Sequence, residues 1–172
     1  MTIHSTHPFA DPQPDPIRRF RGRLGGAVTL WTAGEAESRA GLTVSSLMVA
    51  NGETATILAL VDPDSDFIGA VRETDRCVVQ GLSWDDRGLA EMFAGTAPAP
   101  GGAFTHAEFE QTPWGPRLSS ATSWAYAVRV DEHPVGWSVL LTCRVEDAGV
   151  SEETAPALGH RRGRFFPMGS DA

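Results

Sequence analysis

Cysteine is scarce in this sequence. Only Cys77 and Cys143 are present, far apart and without paired spacing, which excludes a disulfide framework, a thiol redox motif and a cysteine-based zinc site. Positive charge is also short: 14 basic residues face 22 acidic ones, for a formal net charge of -8. A general basic field for a phosphate backbone is therefore absent, so no nucleic-acid partner is expected and any anionic ligand must be held locally. No apolar run is long enough to span a bilayer. The N-terminal stretch has neither a basic n-region nor an apolar h-region. No Gly-x-Gly-x-x-Gly turn or phosphate-binding loop follows a strand-like run, no metal-ligand spacing stands out, and no internal repeat is visible. These absences point to a soluble, cytoplasmic domain without a membrane partner.

At 172 residues, 41% of them hydrophobic, one core is expected. Residues 1–16 hold three His-Pro or Asp-Pro pairs and little to bury, so they read as a disordered N-terminal arm, with a single domain over 17–168. A short turn over Ile17 to Leu24 leads into the β-rich run Gly26 to Ala33. In the next run, Leu42 and Val44 alternate with Thr43 and Ser45, after which Leu47 and Val49 are apolar on the opposite parity. A phase change in a two-residue period demands a bulge, a bend or a change of buried face near Ser45-Ser46.

Asn51-Gly52-Glu53 turns into Thr54 to Val61, whose near-continuous apolarity predicts a central strand buried on both sides. Asp62-Pro63-Asp64-Ser65-Asp66 then breaks the strand and offers N-caps for a short helix to about Thr74. Arg76 to Leu82 reads as a strand, and Ser83 to Asp86 as a capping box for a helix with Leu89, Met92 and Phe93 inward, closed by Gly95. Residues 95–116, rich in Gly and Pro, read as a long ordered loop or lid. Strands over Ser123 to Val130 and Trp137 to Val145, and a last piece around Arg164-Phe165-Phe166, complete an antiparallel pattern. Few helices and many short strands predict an all-β barrel with short helices.

Gly41-Leu42-Thr43-Val44-Ser45-Ser46, with Asp62-Pro63-Asp64-Ser65 in register after it, resembles the central signature of the flavin-reductase-like, FMN-binding split-barrel family. Gly26 to Ala33, Leu89 to Ala94 and Gly159-His160-Arg161-Arg162-Gly163-Arg164-Phe165 resemble further landmarks in the same order. The resemblance spans roughly residues 20–166 and implies a Greek-key antiparallel split barrel that holds FMN at the seam of a homodimer. It also implies hydride transfer from NAD(P)H to bound or free flavin, with a flavin-dependent monooxygenase as a possible recipient.

Thr43, Val44, Ser45, Ser46, Asp62, Ser65, Phe93 and Arg162 are the cofactor-binding residues the resemblance marks, and no catalytic proton-transfer residue is assigned. Thr and Ser on a kinked strand offer amides and hydroxyls to a flavin's pyrimidine edge and ribityl chain. Ser65 would open a helix toward the flavin phosphate. Arg161, Arg162 and Arg164, with Arg39 as a further candidate, would offset Asp62, Asp64 and Asp66.

The family's Gly-Asp-His, whose His is associated with nicotinamide, is matched in register by Gly136-Trp137-Ser138. Trp137 reads as barrel packing in preference to a ring platform, and His133 as an exposed turn residue. FAD or a deazaflavin in place of FMN, and a barrel that binds flavin or another small ligand without turnover, stand as alternatives.

Overall fold

The computed structural model describes residues 15–153 and 155–169, and twelve strands and three α-helices are found there. Most of the expected N-terminal arm lies outside the described residues. Its last two residues, Asp15 and Pro16, begin a helix. This is α1 (Pro16–Leu24), where a turn was expected: the Asp15 carboxylate accepts from the Ile17 amide at 2.9 Å and proline occupies the first position, where its missing N–H costs nothing.

The main sheet contains β2 (Thr29–Ala33), β3 (Ala40–Val44), β4 (Leu47–Ala50), β5 (Thr56–Val61), β6 (Arg76–Gly81), β9 (Ser123–Val135) and β10 (Ser138–Val150). All its pairings are antiparallel, in the order β3-β2-β6-β9-β10-β5-β4. The two edge strands, β3 and β4, are consecutive in sequence, joined only by Ser45 and Ser46. In a flat sheet of seven strands the edges stand about 29 Å apart, at about 4.8 Å per spacing. Two linking residues reach at most about 11 Å. The sheet must therefore curl until its edges meet, and the result is a barrel split between β3 and β4. The expected phase change at Ser45-Ser46 is this change of edge.

Two corrections concern the same sheet. β5 lies next to the edge strand β4, not at the centre, and its side chains alternate in burial, with Ile57, Ala59 and Val61 inside and Leu60 exposed. One face only is covered. The segment after residue 95 is not irregular throughout: it contains the hairpin β7 (Phe109–Thr112) and β8 (Gly115–Leu118).

A three-stranded sheet of β1 (Gly26–Ala27), β11 (Ala157–Arg161) and β12 (Arg164–Met168) lies at one end. Of these, β11 had no counterpart in the sequence reading. Helix α2 (Asp66–Thr74) drives Phe67, Ile68 and Val71 into the core, with the Phe67 ring edge-on to Trp31 at 6.1 Å. Helix α3 (Arg87–Phe93) follows the Ser83–Asp86 capping box and buries Leu89, Ala90 and Phe93. Both thiols are buried. A hydrogen bond with Cys143, aided by complete burial, holds the Cys77 thiol well above its ordinary 9.0, so it stays protonated.

One buried side chain fastens the β7–β8 hairpin to the barrel. Gln80, 1% exposed, donates through Nε2 to Thr32 Oγ1 (3.1 Å) and the Pro116 carbonyl (3.3 Å), and its Oε1 accepts from the Leu118 amide at 2.6 Å. Gln80→Leu keeps the shape but strands the Leu118 amide without a partner. The expected loss is about 1–3 kcal/mol, read as a lower urea midpoint at unchanged m value; an unchanged midpoint would refute this role.

Candidate functional site

The Ser45-Ser46 link sets the site. The Ser46 carbonyl accepts from the Leu60 amide at 3.0 Å and its hydroxyl donates to the Leu60 carbonyl at 2.8 Å. Ser46 is thereby fixed two residues before Asp62. At that turn the Asp62 carbonyl accepts from the Ser65 amide (3.2 Å) and hydroxyl (2.8 Å), and its carboxylate accepts from the Asp64 amide at 2.9 Å. Ser65 then caps α2, its hydroxyl accepting from the Ile68 amide at 3.4 Å. Ser46, Asp62 and Ser65 are thus brought together by the β4–β5 pairing.

On the other side of the link, Ser45 is exposed beside β1. A methyl group on Gly26 would lie 3.3 Å from the Ser45 carbonyl oxygen. Gly26 pairs with His160 on β11, and the β11–β12 turn carries Arg161 and Arg162. Arg162 is left-handed (φ 53°) and donates its amide to the Gly22 carbonyl of α1 at 2.8 Å. Arg161 Nε donates to the Arg23 carbonyl at 2.9 Å. The Ser45 link therefore lies between a helix N-terminus on one side and an arginine-bearing turn on the other.

The remaining marked residues sit differently. The Thr43 hydroxyl donates to the Ala90 carbonyl at 2.7 Å, docking α3 on β3. Val44 is 3% exposed, which leaves only its backbone to meet a ligand. Phe93 is buried in an aromatic cluster, edge-on to Phe104 at 4.9 Å and to Phe109 at 6.1 Å, with the Arg39 guanidinium 4.8 Å from the Phe104 ring centre. His133 is exposed, 3.5 Å from the Asp131 carboxylate.

Trp137 corrects the expectation of packing: it is 83% exposed, at the tip of the β9–β10 hairpin beside the Arg18 guanidinium, 5.9 Å from its ring. A hairpin tip projects beyond the sheet and offers no core to enter. Sequence reasoning missed α1, although Asp15-Pro16 is a helix-opening signal.

The donor set suits a phosphorylated, hydroxyl-bearing ligand: three serines, the first turn of a capped nine-residue helix and an arginine turn. Among the described residues no group of His, Cys, Asp and Glu is arranged to hold a metal ion, and no helix is long and apolar enough to cross a membrane.

The flavin reductase like domain matches residues 21–169. The chain belongs to that family. It is a flavin-reductase-like oxidoreductase domain. It is 28% identical over 136 residues to the FMN reductase (NADH) RutF of Bradyrhizobium diazoefficiens, covering 78% of this chain and 75% of that protein. The fold superposes on the NADH:FAD oxidoreductase SgcE6 of Streptomyces globisporus with a TM-score of 0.80 at 19% identity, over 94% of this chain and 99% of that one. It also superposes on the styrene monooxygenase flavin reductase of Pseudomonas putida S12 with a TM-score of 0.79 at 16% identity, over 92% and 100%.

Gly41 lets α3 approach β3, since a methyl group there would stand 2.6 Å from the Phe93 ring. Gly41→Val must displace that ring and loosen the Thr43–Ala90 contact. The expected cost is about 1–3 kcal/mol, seen as a lower melting temperature with weakened near-UV dichroism. An unshifted melting curve would show that α3 tolerates the change.

Proposed function

We propose that this protein is an NAD(P)H-dependent flavin reductase that binds FMN at the Ser45-Ser46 link and passes reduced flavin to an acceptor, a flavin-dependent monooxygenase being the partner class. The observation that carries this reading is the meeting, at one two-residue link, of exposed hydroxyls, the Ser65-capped helix and the Arg162 turn. Residues 17–168 act as one domain, and two free buried thiols suit the cytoplasm.

Ser45 and Ser46 bond the flavin's polar edge and ribityl chain, with the backbone at Val44 beside them, while Thr43 holds α3 against the strand. The first-turn amides of α2 face the phosphate, and the helix field contributes about 0.3–1 kcal/mol there. Asp62 shapes the turn that presents Ser65. Arg162 adds a charge-assisted hydrogen bond of about 1.5–3 kcal/mol, enough to outweigh the nearby carboxylates. Phe93 works from behind, fixing α3. Bound flavin supplies the hydride-accepting chemistry, and the chain contributes position and water exclusion.

The test is an absorption spectrum of protein mixed with FMN and desalted, then treated anaerobically with NADH or NADPH. Retained flavin that bleaches is the expected result. Retained flavin that stays oxidised would point to a deazaflavin reductant or a binding role, a direction favoured by the exposed Trp137 in the family's Gly-Asp-His register. Ser45→Ala should weaken FMN roughly two- to tenfold, the worth of one hydrogen bond, with no loss of stability because the residue is exposed.

A homodimer is the second part of the proposal. Among the described residues, edge strand β4 pairs only with β5, and it exposes Met48 and Val49, an open apolar edge that invites cover by another chain. Sedimentation velocity should give a dimer for the native chain and a monomer for Val49→Glu. A native monomer would count against the dimer.

A further inference from the structure

Helix α1 buries none of its residues, yet it is not an unfastened appendage. The β11–β12 turn holds it through the Arg162 amide on Gly22 and the Arg161 guanidinium on Arg23. Pro16, Arg19, Phe20 and Arg23, all on α1, line an open crevice of about 270 Å³. These positions follow the i, i+3, i+4, i+7 spacing of one helix face. The crevice therefore combines two arginines with an exposed Phe20, and Arg161 reaches the same helix at the Arg23 carbonyl.

Elsewhere the described arginines are stacked or paired: Arg39, Arg76 and Arg87 lie over the rings of Phe104, Trp114 and Trp84. Arg72, Arg117, Arg129 and Arg144 each pair with a carboxylate. Among the described residues, Arg19, Arg21, Arg23, Arg161, Arg162 and Arg164 have no carboxylate within ion-pair distance. Arg18 alone on α1 has one, Asp15 at 3.8 Å. Arg21 and Arg23 gain from the negative end of the helix dipole, but Arg19 does not, and Arg19 over Arg23 is a repulsive i, i+4 pair. A protein of net charge -8 that gathers six unpaired arginines at one end, at a cost to the helix carrying them, has the electrostatics of an anion receptor.

The location narrows the ligand. Gly25 ends α1 so close to the turn that a methyl group there would meet Arg161 Cβ at 3.2 Å, and the next residue, Gly26, approaches the Ser45 carbonyl. Arg23 and Arg19 lie two and six residues before Gly25, about 3–9 Å along the helix axis. The crevice thus lies on the helix that leads directly into the strand beside Ser45, the link proposed to hold flavin. An adenine ring suits the face of Phe20, and a phosphate monoester suits paired guanidinium groups, which bind it through forked hydrogen bonds.

We propose that the α1 crevice, with Arg19 and Arg23 as its phosphate ligands and Arg161 beside them, binds the 2′-phosphoadenosine end of the reductant, so that this protein prefers NADPH to NADH. The proposal rests on the flavin-reductase reading for the class of reductant, and goes beyond it in assigning a site and a selectivity. Arg19 and Arg23 are specificity residues that touch no reacting atom.

Two measurements on the full chain test it. Calorimetric titration with adenosine 2′,5′-bisphosphate, compared with ADP, reads the crevice without any turnover. Tighter binding of the 2′-phosphate, by about tenfold or more and weakening steeply with salt, is expected. Steady-state flavin reduction with NADPH and NADH reads selectivity. The double variant Arg19→Gln/Arg23→Gln should lower the ratio of the two kcat/KM values by about tenfold or more, through KM for NADPH, while FMN retention and the melting temperature hold. Equal binding of both adenosine phosphates, a native preference for NADH, or an unchanged ratio in the variant would each overturn the proposal. If neither dinucleotide reduces flavin, the reductase reading fails, and the titration still decides whether the crevice recognises a 2′-phosphate.

Discussion

Everything in this fold depends on a covalent constraint of two residues. Ser45 and Ser46 join the two edges of a seven-stranded sheet, and the chain between them is far too short to cross a flat sheet of that width. Curvature is therefore imposed by connectivity, and the sheet's natural twist only has to accommodate it. The barrel is split for the same reason. Val44 pairs with Thr29 on β2 and Leu47 with Ala59 on β5, so the strands on either side of the link have different partners and do not pair with each other.

The link gathers the site as it closes the barrel. Because β4 must run back along β5, Ser46 bonds Leu60 and comes to lie next to the turn that opens α2. Because β3 ends where β1 begins its pairing with β11, Ser45 lies against Gly26 and, one strand further, the arginine turn. These neighbours come from four separate stretches of sequence. Aromatic packing secures the flank, where Phe93, Phe104 and Phe109 meet pairwise edge-on and hold the segment after α3 against β3. At the far end of that segment, Trp114 stacks on Tyr126 of β9 at 4.6 Å. The segment read from sequence as a loop or lid is thereby fastened at two points.

What sequence made legible follows from the range of the forces involved. The Ser45-Ser46 break, the Ser65 cap and the Ser83–Asp86 capping box are local devices, written within a few adjacent residues, and all three occur in the structure. The β7–β8 hairpin was hidden because Phe109–Thr112 and Gly115–Leu118 are short and interrupted by Pro and Gly. It owes its place to Gln80, a residue on another strand. β5 read as doubly buried because its composition is apolar throughout, yet Leu60 is exposed on the outer face. That is a property of what packs on a sheet, which a strand's own residues do not encode. Trp137 was misplaced by the same logic, since an aromatic side chain reads as core until the hairpin that carries it is seen to project.

The two sides of the link differ sharply in charge, and that difference bears on how an anion is held. Asp62, Asp64 and Asp66 crowd the start of α2, where a helix field of about 0.3–1 kcal/mol is too small to outweigh three carboxylates unaided. The Asp62 carboxylate is engaged with the Asp64 amide, which fixes its direction and leaves its charge in place. Compensation has to come from a cation brought in by the fold, and the nearest source along the backbone is the arginine turn across Gly26. An anion at the link thus depends on both halves at once: hydrogen-bond donors from the closed barrel edge, and positive charge from the β11–β12 turn, which α1 holds in place from outside the barrel. Loosening α1 from the β11–β12 turn would leave the barrel core intact while withdrawing the charge, so ligand affinity and stability are separable properties in this architecture.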